Sequence, residues 1–464
     1  MRIEDVRIAY FIGIGGIGMS AIARYFKAIG IEVHGYDKTK THLSEELEKE
    51  GMVLHYTEDL NAIPEKIKEN DNASIVVYTP AIPSAHAEIM WLKNNGNILH
   101  KRAEVLGIIS RNSFTIGVAG THGKTTTSTM VAHLLNEAGV SFTAFLGGIS
   151  TNFGSNYVHV TSGKQLQKKP LVVVEADEFD RSFLQLSPDI SIVTSTDPDH
   201  LDIYGKAEEV KNSFQDFVNR TEEDGIAIIK EGLDLKFKGR ILRYGKEDSS
   251  DVFYDDVKIK KDKYLFGFNS NIRGAERAGN IVSGIPGFHN IENATAAITA
   301  CLEIGINIGV LAKGTATFKG VKRRFEYVYN SPSHIVIDDY AHHPEELRAC
   351  IESVKHLYPE KKLTGIFQPH LFSRTRDFAD GFARSLDMLD ECWLMPIYPA
   401  RELPIEGVSS EMIAGKMEKD AVVLNAENIY EKLKTEKPEL LLILGAGDID
   451  NIVEPVKLLY EKTT

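Results

Sequence analysis

A strand that runs straight into a glycine loop and then into a helix constrains this chain more than any other feature, and the sequence contains two such units. The more specific one begins with the apolar run Phe114–Ala119. It enters Gly120-Thr121-His122-Gly123-Lys124-Thr125-Thr126 and continues with helical spacing through Met130, Val131, Leu134 and Leu135. This order reads as a phosphate loop. Backbone amides cradle phosphates, Lys124 neutralises the β and γ oxygens, and the Thr125 hydroxyl is placed to ligate Mg²⁺ (or Mn²⁺). The spacing is a shortened GxxGKT form, because Val118 stands where the longer motif has its first glycine.

The other unit opens the chain. Ile8–Ile12 leads into Gly13-Ile14-Gly15-Gly16-Ile17-Gly18, followed by helical spacing through Met19, Ile22, Tyr25 and Phe26. Asp37 follows the expected second strand, Glu32–Tyr36. Glycines here let amides approach a pyrophosphate, and the helix N-terminus favours its charge. The loop specifies a diphosphate, which a nicotinamide dinucleotide and a UDP-sugar both offer. A dehydrogenase explains this loop and leaves Lys124 unexplained. A nucleotide sensor keeps both loops without chemistry. An ATP-dependent ligase acting on a nucleotide-linked substrate needs both.

Further apolar runs alternate with helix-like stretches: Arg7–Ile12, Ser74–Tyr78, Leu171–Glu175, Ile190–Thr194, Ile226–Ile229, His334–Asp338, Leu363–Phe367, Glu391–Met395 and Leu440–Leu444. Continuous apolar runs of this length predict strands buried on both faces, and the alternation predicts mostly parallel α/β sheets. The segment between Asp234 and Gly284 predicts a small β-rich subregion, and Lys164–Pro170 a surface loop. The expected division is three domains over 464 residues: 1–108 and 323–464 Rossmann-like, with a central phosphate-loop domain at 109–322.

The net charge of −13 argues against nucleic acid and anionic membranes as partners. No apolar run approaches the roughly 18 residues of a membrane span. The start lacks the pattern of a signal peptide. Three scattered cysteines, Cys301, Cys350 and Cys392, make no disulfide framework. The expectation is a cytoplasmic protein.

Acidic and histidine residues follow two of the central strands. Leu171–Glu175 continues as Ala176-Asp177-Glu178, and the Glu175 carboxylate is positioned to complete the cation site begun by Thr125. Ile190–Ser195 leads to Thr196-Asp197-Pro198-Asp199-His200-Leu201-Asp202, where His200 is a candidate ligand for a second cation.

Together with His289-Asn290-x-x-Asn293-Ala294, Arg323-Arg324-Phe325-Glu326, Asp338-Asp339-Tyr340-Ala341-His342-His343-Pro344, Phe367-Gln368-Pro369-His370 and Ser373-Arg374-Thr375-Arg376, these motifs resemble the Mur ligases of peptidoglycan synthesis. The matches run from residue 8 to about 448. The resemblance implies an ATP-dependent, amide-forming ligase that works through an acyl phosphate. Within the family the pattern is nearest the members that add L-alanine to UDP-N-acetylmuramate, as a monomer or homodimer. The alternative is a ligase that attaches a recycled murein tripeptide to the same sugar.

It also implies roles. Gly13, Gly15, Gly16, Ile17, Gly18, Met19, Ser20, Asp37 and Arg102 would hold the UDP-sugar. Gly120, Thr121, His122, Gly123, Lys124, Thr125, Thr126, His289, Asn290, Asn293, Arg324, Asp338 and Asp339 would hold ATP. Tyr340, His370 and Arg374 would take the amino acid. Lys124, His200, His343 and Arg374 would be catalytic, and Thr125, Glu175 and His200 would bind metal. Two departures stand out. Leu371 occupies a place where many relatives carry Arg. The stretch Phe214-Gln215-Asp216 lacks the carbamylated lysine of the sister ligases that act later, which favours the alanine-adding branch.

Overall fold

A computed structural model describes residues 3–198, 204–260, 263–272, 276–400 and 402–462. Among these residues the strands form three sheets. The first has order β3-β2-β1-β4-β5 and is parallel throughout. Its strands are β1 (Ile8–Ile12), β2 (Glu32–Tyr36), β3 (Val53–His55), β4 (Ser74–Tyr78) and β5 (Leu99–Lys101). The unbroken apolar run of β1 has a direct cause. Ala9 and Phe11 enter one core cluster, whereas Ile8, Tyr10 and Ile12 enter another, so neither face is spared for water. Helix α1 (Ile17–Ala28) follows the first glycine loop, and α2 (Arg102–Arg111) follows β5.

The second sheet comprises β6 (Phe114–Ala119), β7 (Phe142–Ser150), β8 (Ser155–Val160), β9 (Leu171–Glu175), β10 (Ile190–Val193), β11 (Ile226–Lys230), β12 (Arg240–Gly245), β13 (Val252–Lys260), β14 (Lys263–Ser270) and β15 (Glu276–Val282). Their order is β15-β14-β13-β12-β11-β10-β6-β9-β7-β8. The β-rich stretch expected after Asp234 is thus the run β12 to β15. Strand β6 lies between β10 and β9, so the phosphate loop emerges beside the ends of both. Helix α3 (Lys124–Glu137) leaves that loop, α4 (Ala207–Val218) lies further along, and α5 (Phe288–Glu303) begins at the predicted His289-Asn290 motif.

The third sheet has order β16-β17-β21-β18-β19-β20. It is built from β16 (Glu326–Asn330), β17 (Ile335–Asp339), β18 (Leu363–Phe367), β19 (Glu391–Leu394), β20 (Ala421–Val423) and β21 (Leu440–Leu444). Only β16 is antiparallel to its neighbour; the central strands β17, β21 and β18 are parallel. Helix α6 (Pro344–Leu357) starts with Pro344 and two glutamates and ends with Lys355 and His356, charges that suit its dipole. Helix α7 (Phe372–Leu386) presents Arg374 from its first turn.

The chain forms two units. One contains Met1–Asp255, Gly267–Ile281 and Glu292–Phe318; the other contains Asp256–Phe266, Val282–Ile291 and Lys319–Thr464. Within the first unit the N-terminal and central sheets share a core: residues of β1 and α1 cluster with Phe145, Val174 and Phe217. The second unit has its own core around Trp393, Leu441 and Ile443.

Candidate active site

Backbone conformation explains the glycines of the phosphate loop. Gly120 (φ +149°) and Gly123 (φ +82°) both lie in the region that favours glycine. A Cβ at Gly120 would fall 2.0 Å from Thr194 Oγ1, and one at Gly123 would fall 2.6 Å from Asn293 Oδ1. Asn293 therefore packs against the loop. Ser195, just past β10, holds the loop through its hydroxyl. It accepts the His122 N–H at 2.7 Å and shares a hydrogen with Thr121 Oγ1 at 2.9 Å.

Lys124 and Thr125 open α3 and face the end of β9. The Lys124 ammonium donates to Glu178 Oε1 at 3.0 Å, and Glu178 is buried. Burial opposes the Lys124 charge, but Glu178, Asp177 and Glu175 outweigh it and hold the lysine above its ordinary value. Thr125 Oγ1 donates to Glu175 Oε1 at 2.9 Å, and the Gly147 N–H donates to Glu175 Oε2 at 2.9 Å. Burial pushes the Glu175 carboxyl up, against the pull of Lys124 and the Thr125 bond. Thr125 and Glu175 place two hard oxygen donors side by side, a set that suits Mg²⁺, which takes few protein ligands alongside phosphate oxygens and water. Among the described residues no group of three or more His, Cys, Asp or Glu is arranged to hold a metal. His200 lies outside the described residues. Thr126 is buried in the first turn of α3.

The first glycine loop belongs to the same unit. Gly13 has φ +87°, and Asp37 Oδ2 accepts the Gly15 N–H at 2.8 Å. A Cβ at Gly18 would meet Arg102 Nη1 at 2.8 Å, so the guanidinium lies across the loop's last glycine. Its Nη2 pairs with Asp177 Oδ2 at 3.3 Å. The acidic turn after β9 thus receives Arg102 on Asp177 and Lys124 on Glu178. Met19 and Ser20 are buried; the Ser20 hydroxyl donates to Ile17 O at 3.0 Å and accepts from Asn156 Nδ2 at 2.9 Å. Gly16 and Ile17 form the turn into α1.

In the second unit, Asp338 and Asp339 end β17. Arg323 Nε donates to Asp338 Oδ2 at 3.1 Å, while Asp338 Oδ1 is buried with no hydrogen-bond partner among the described residues. Burial, against the pull of Arg323 and with Asp339 adding to it, pushes Asp338 up to about 7. Burial likewise pushes Asp339 up to about 6, against the pull of Arg324. The Arg324 guanidinium sits 5.0 Å from the centre of the Tyr340 ring. His343 caps α6, its Nδ1 accepting the Glu345 N–H at 3.4 Å, and packs on Phe378. His370 stacks on Tyr398, and Arg374 Nη1 is 3.5 Å from His370 Nδ1. His342 lies 6.1 Å from His370, ring to ring. Leu371 adopts φ +71°, a strained value for a non-glycine residue. His289 and Asn290 also belong to this unit, and Asn290 Nδ2 donates to Pro286 O at 2.6 Å.

Sequence reasoning named the acidic turn but gave Asp177, Glu178 and Gly147 no task at the phosphate site. The repeated carboxylates after an apolar strand were the available signal for Glu178, since Lys124 needs a counterion in an unliganded site.

Three family models cover most of the chain: "Mur ligase family, catalytic domain" at 9–114, "Mur ligase middle domain" at 118–301 and "Mur ligase, glutamate ligase domain" at 323–447. The chain belongs to the Mur ligase family. The UDP-N-acetylmuramate–L-alanine ligase of Christiangramia forsetii is 45% identical over 462 residues, covering 99% of each chain. Its counterpart in Porphyromonas gingivalis W83 is 47% identical over 455 residues, 97% of this chain and 98% of that one. The structure of the UDP-N-acetylmuramate–alanine ligase of Thermotoga maritima superposes with TM-score 0.81 at 26% identity, covering 99% of this chain and 100% of that one. A murein peptide ligase from Psychrobacter arcticus shares the fold, with TM-score 0.69 at 22% identity and 98% coverage of each chain. No helix among the described residues is long and apolar enough to cross a membrane.

Proposed function

We infer that this protein joins L-alanine to the lactyl carboxylate of UDP-N-acetylmuramate at the expense of ATP, in cytoplasmic assembly of peptidoglycan precursors. The observation that carries the reading is the pairing of Lys124 with Glu178 and of Thr125 with Glu175 in the unit that also holds the Gly13–Gly18 loop. A phosphate site and a diphosphate site in one unit suit a ligase with a nucleotide-linked acceptor. Full-length relatives at 45% and 47% identity bear the alanine ligase name, which favours L-alanine over a tripeptide.

A carboxylate is a poor electrophile, so the carboxylate oxygen attacks the γ-phosphorus and ADP leaves. The alanine amine then attacks the acyl carbon and loses a proton. The tetrahedral intermediate collapses to the amide and releases phosphate. Two anions meet in the first step, and Lys124 is the cation this chain supplies there. A bound Mg²⁺, held by Thr125 and Glu175, would neutralise further phosphate charge. In this reading Gly120–Thr126 and Asn293 hold the nucleotide, and Arg102 and the first loop hold the UDP-sugar. Ser20, bonded to Ile17 O and Asn156, belongs to that loop. Tyr340, His370 and Arg374 receive the amino acid, Arg374 through its carboxylate. Domains 1–108, 109–322 and 323–464 would serve sugar, ATP and amino acid in turn.

The test offers L-alanine and the murein tripeptide in competition, with UDP-N-acetylmuramate and ATP. The reading expects the alanine product to dominate; dominance of the tripeptide product overturns it.

A further inference from the structure

Strand β7 leaves its ladder where it reaches the phosphate site. Its pairing with β9 ends at Phe145↔Val174, and its register with β8 shifts between Phe145 and Ser150. The Gly147 N–H is thereby released from sheet pairing, and it donates to Glu175 Oε2 at 2.9 Å. Thr125 Oγ1 holds the other oxygen, Oε1, at 2.9 Å. The carboxylate is thus fixed at both oxygens, from two elements. A Cβ on Gly147 would meet Glu175 Oε1 and Oε2 at 2.2 Å and Cδ at 2.3 Å. Gly147 is absent from the positive-φ residues, so its backbone does not itself call for glycine. What calls for glycine here is the space that the carboxylate occupies.

We propose that Gly147 is a positioning residue for the divalent-cation site. By donating its amide and lacking a side chain, it keeps the Glu175 carboxylate beside the Thr125 hydroxyl. This rests on the reading of Glu175 as a cation ligand. The added methyl of Gly147→Ala meets the far end of a flexible side chain, so the fold tolerates it while the carboxylate turns away. Groups that orient a metal ligand typically affect metal affinity by about 10- to 100-fold when altered.

The experiment measures ADP binding by titration calorimetry with and without Mg²⁺, alongside the thermal midpoint, for wild type, Gly147→Ala, Glu175→Gln and the double variant Gly147→Ala/Glu175→Asp. The proposal expects Gly147→Ala to weaken the Mg²⁺-dependent part of binding by about tenfold or more. Mg²⁺-free binding and the midpoint should stay put. The shorter aspartate should restore part of the loss, because its carboxylate sits clear of the new methyl. Three results overturn the proposal: wild-type Mg²⁺ dependence in Gly147→Ala, an equal loss with and without Mg²⁺, or loss of the folded state. If Glu175→Gln weakens Mg²⁺-dependent binding and Gly147→Ala does not, Gly147 alone is misassigned. If Glu175→Gln also leaves it unchanged, the cation-site reading fails with it.

Discussion

Lys124 and Glu178 show how strongly one residue of this site depends on another. Removing the lysine leaves a buried carboxylate without its cation, so Lys124→Ala should lose stability, by about 3 kcal/mol, as well as turnover. Adding Glu178→Gln should return most of that stability without any turnover, which thermal unfolding and phosphate release read separately. Asp338 yields a pH prediction. Its folded value of about 7 exceeds the ordinary 3.8, so the folded chain keeps a proton that the unfolded chain has lost. Stability then falls as pH rises through that interval, and Asp339 adds to the slope up to about 6. Asp338→Asn should flatten this part of a midpoint-against-pH profile; an unchanged slope counts against the burial argument. Lys124, Thr125 and Glu175 were legible as residue types in a motif. Their pairing with Glu178 and Gly147 was not, because those bonds depend on which strands lie side by side.

At the scale of elements, the phosphate loop is held from β10 as much as by its own glycines. Ser195→Ala removes the acceptor of the His122 amide and the partner of Thr121. A lost part-buried bond of this kind costs about 1–3 kcal/mol, so the KM for ATP should rise roughly fivefold or more, with a smaller change for UDP-sugar. An equal change for both nucleotides would place the effect outside the loop. The buried strands were readable because both faces are covered: Ser74–Tyr78, Leu171–Glu175, Leu363–Phe367 and Leu440–Leu444 have the expected ends. The short outer strands β3, β5 and β20 were not, since each spans only three residues. The β7–β8 hairpin also escaped, because its glycines and polar residues break the strand pattern.

For the molecule as a whole, the first unit joins two sheets through one buried polar network. Asn156 on β8 donates to Ile17 O at 2.5 Å and to Ser20 Oγ at 2.9 Å, and it accepts from Arg24, which also pairs with Glu50. The turn that opens α1 is thereby tied to the central sheet. Asn156→Ala removes the acceptor of Arg24 Nη1 and one of the two side-chain donors to Ile17 O, and should destabilise the unit by about 1–3 kcal/mol. A denaturation midpoint close to wild type would mean that water replaces the amide. The net charge of −13 describes the outer surface, whereas anionic substrates would be met by local groups: loop amides, Lys124, Arg102 and Arg374. The most direct test of the central claim supplies UDP-N-acetylmuramate bearing heavy oxygen in its carboxylate, with ATP, Mg²⁺ and L-alanine, and weighs the phosphate released. Attack by that carboxylate on the γ-phosphorus predicts one heavy oxygen in each phosphate, released only when L-alanine is present; unlabelled phosphate would contradict the acyl-phosphate account.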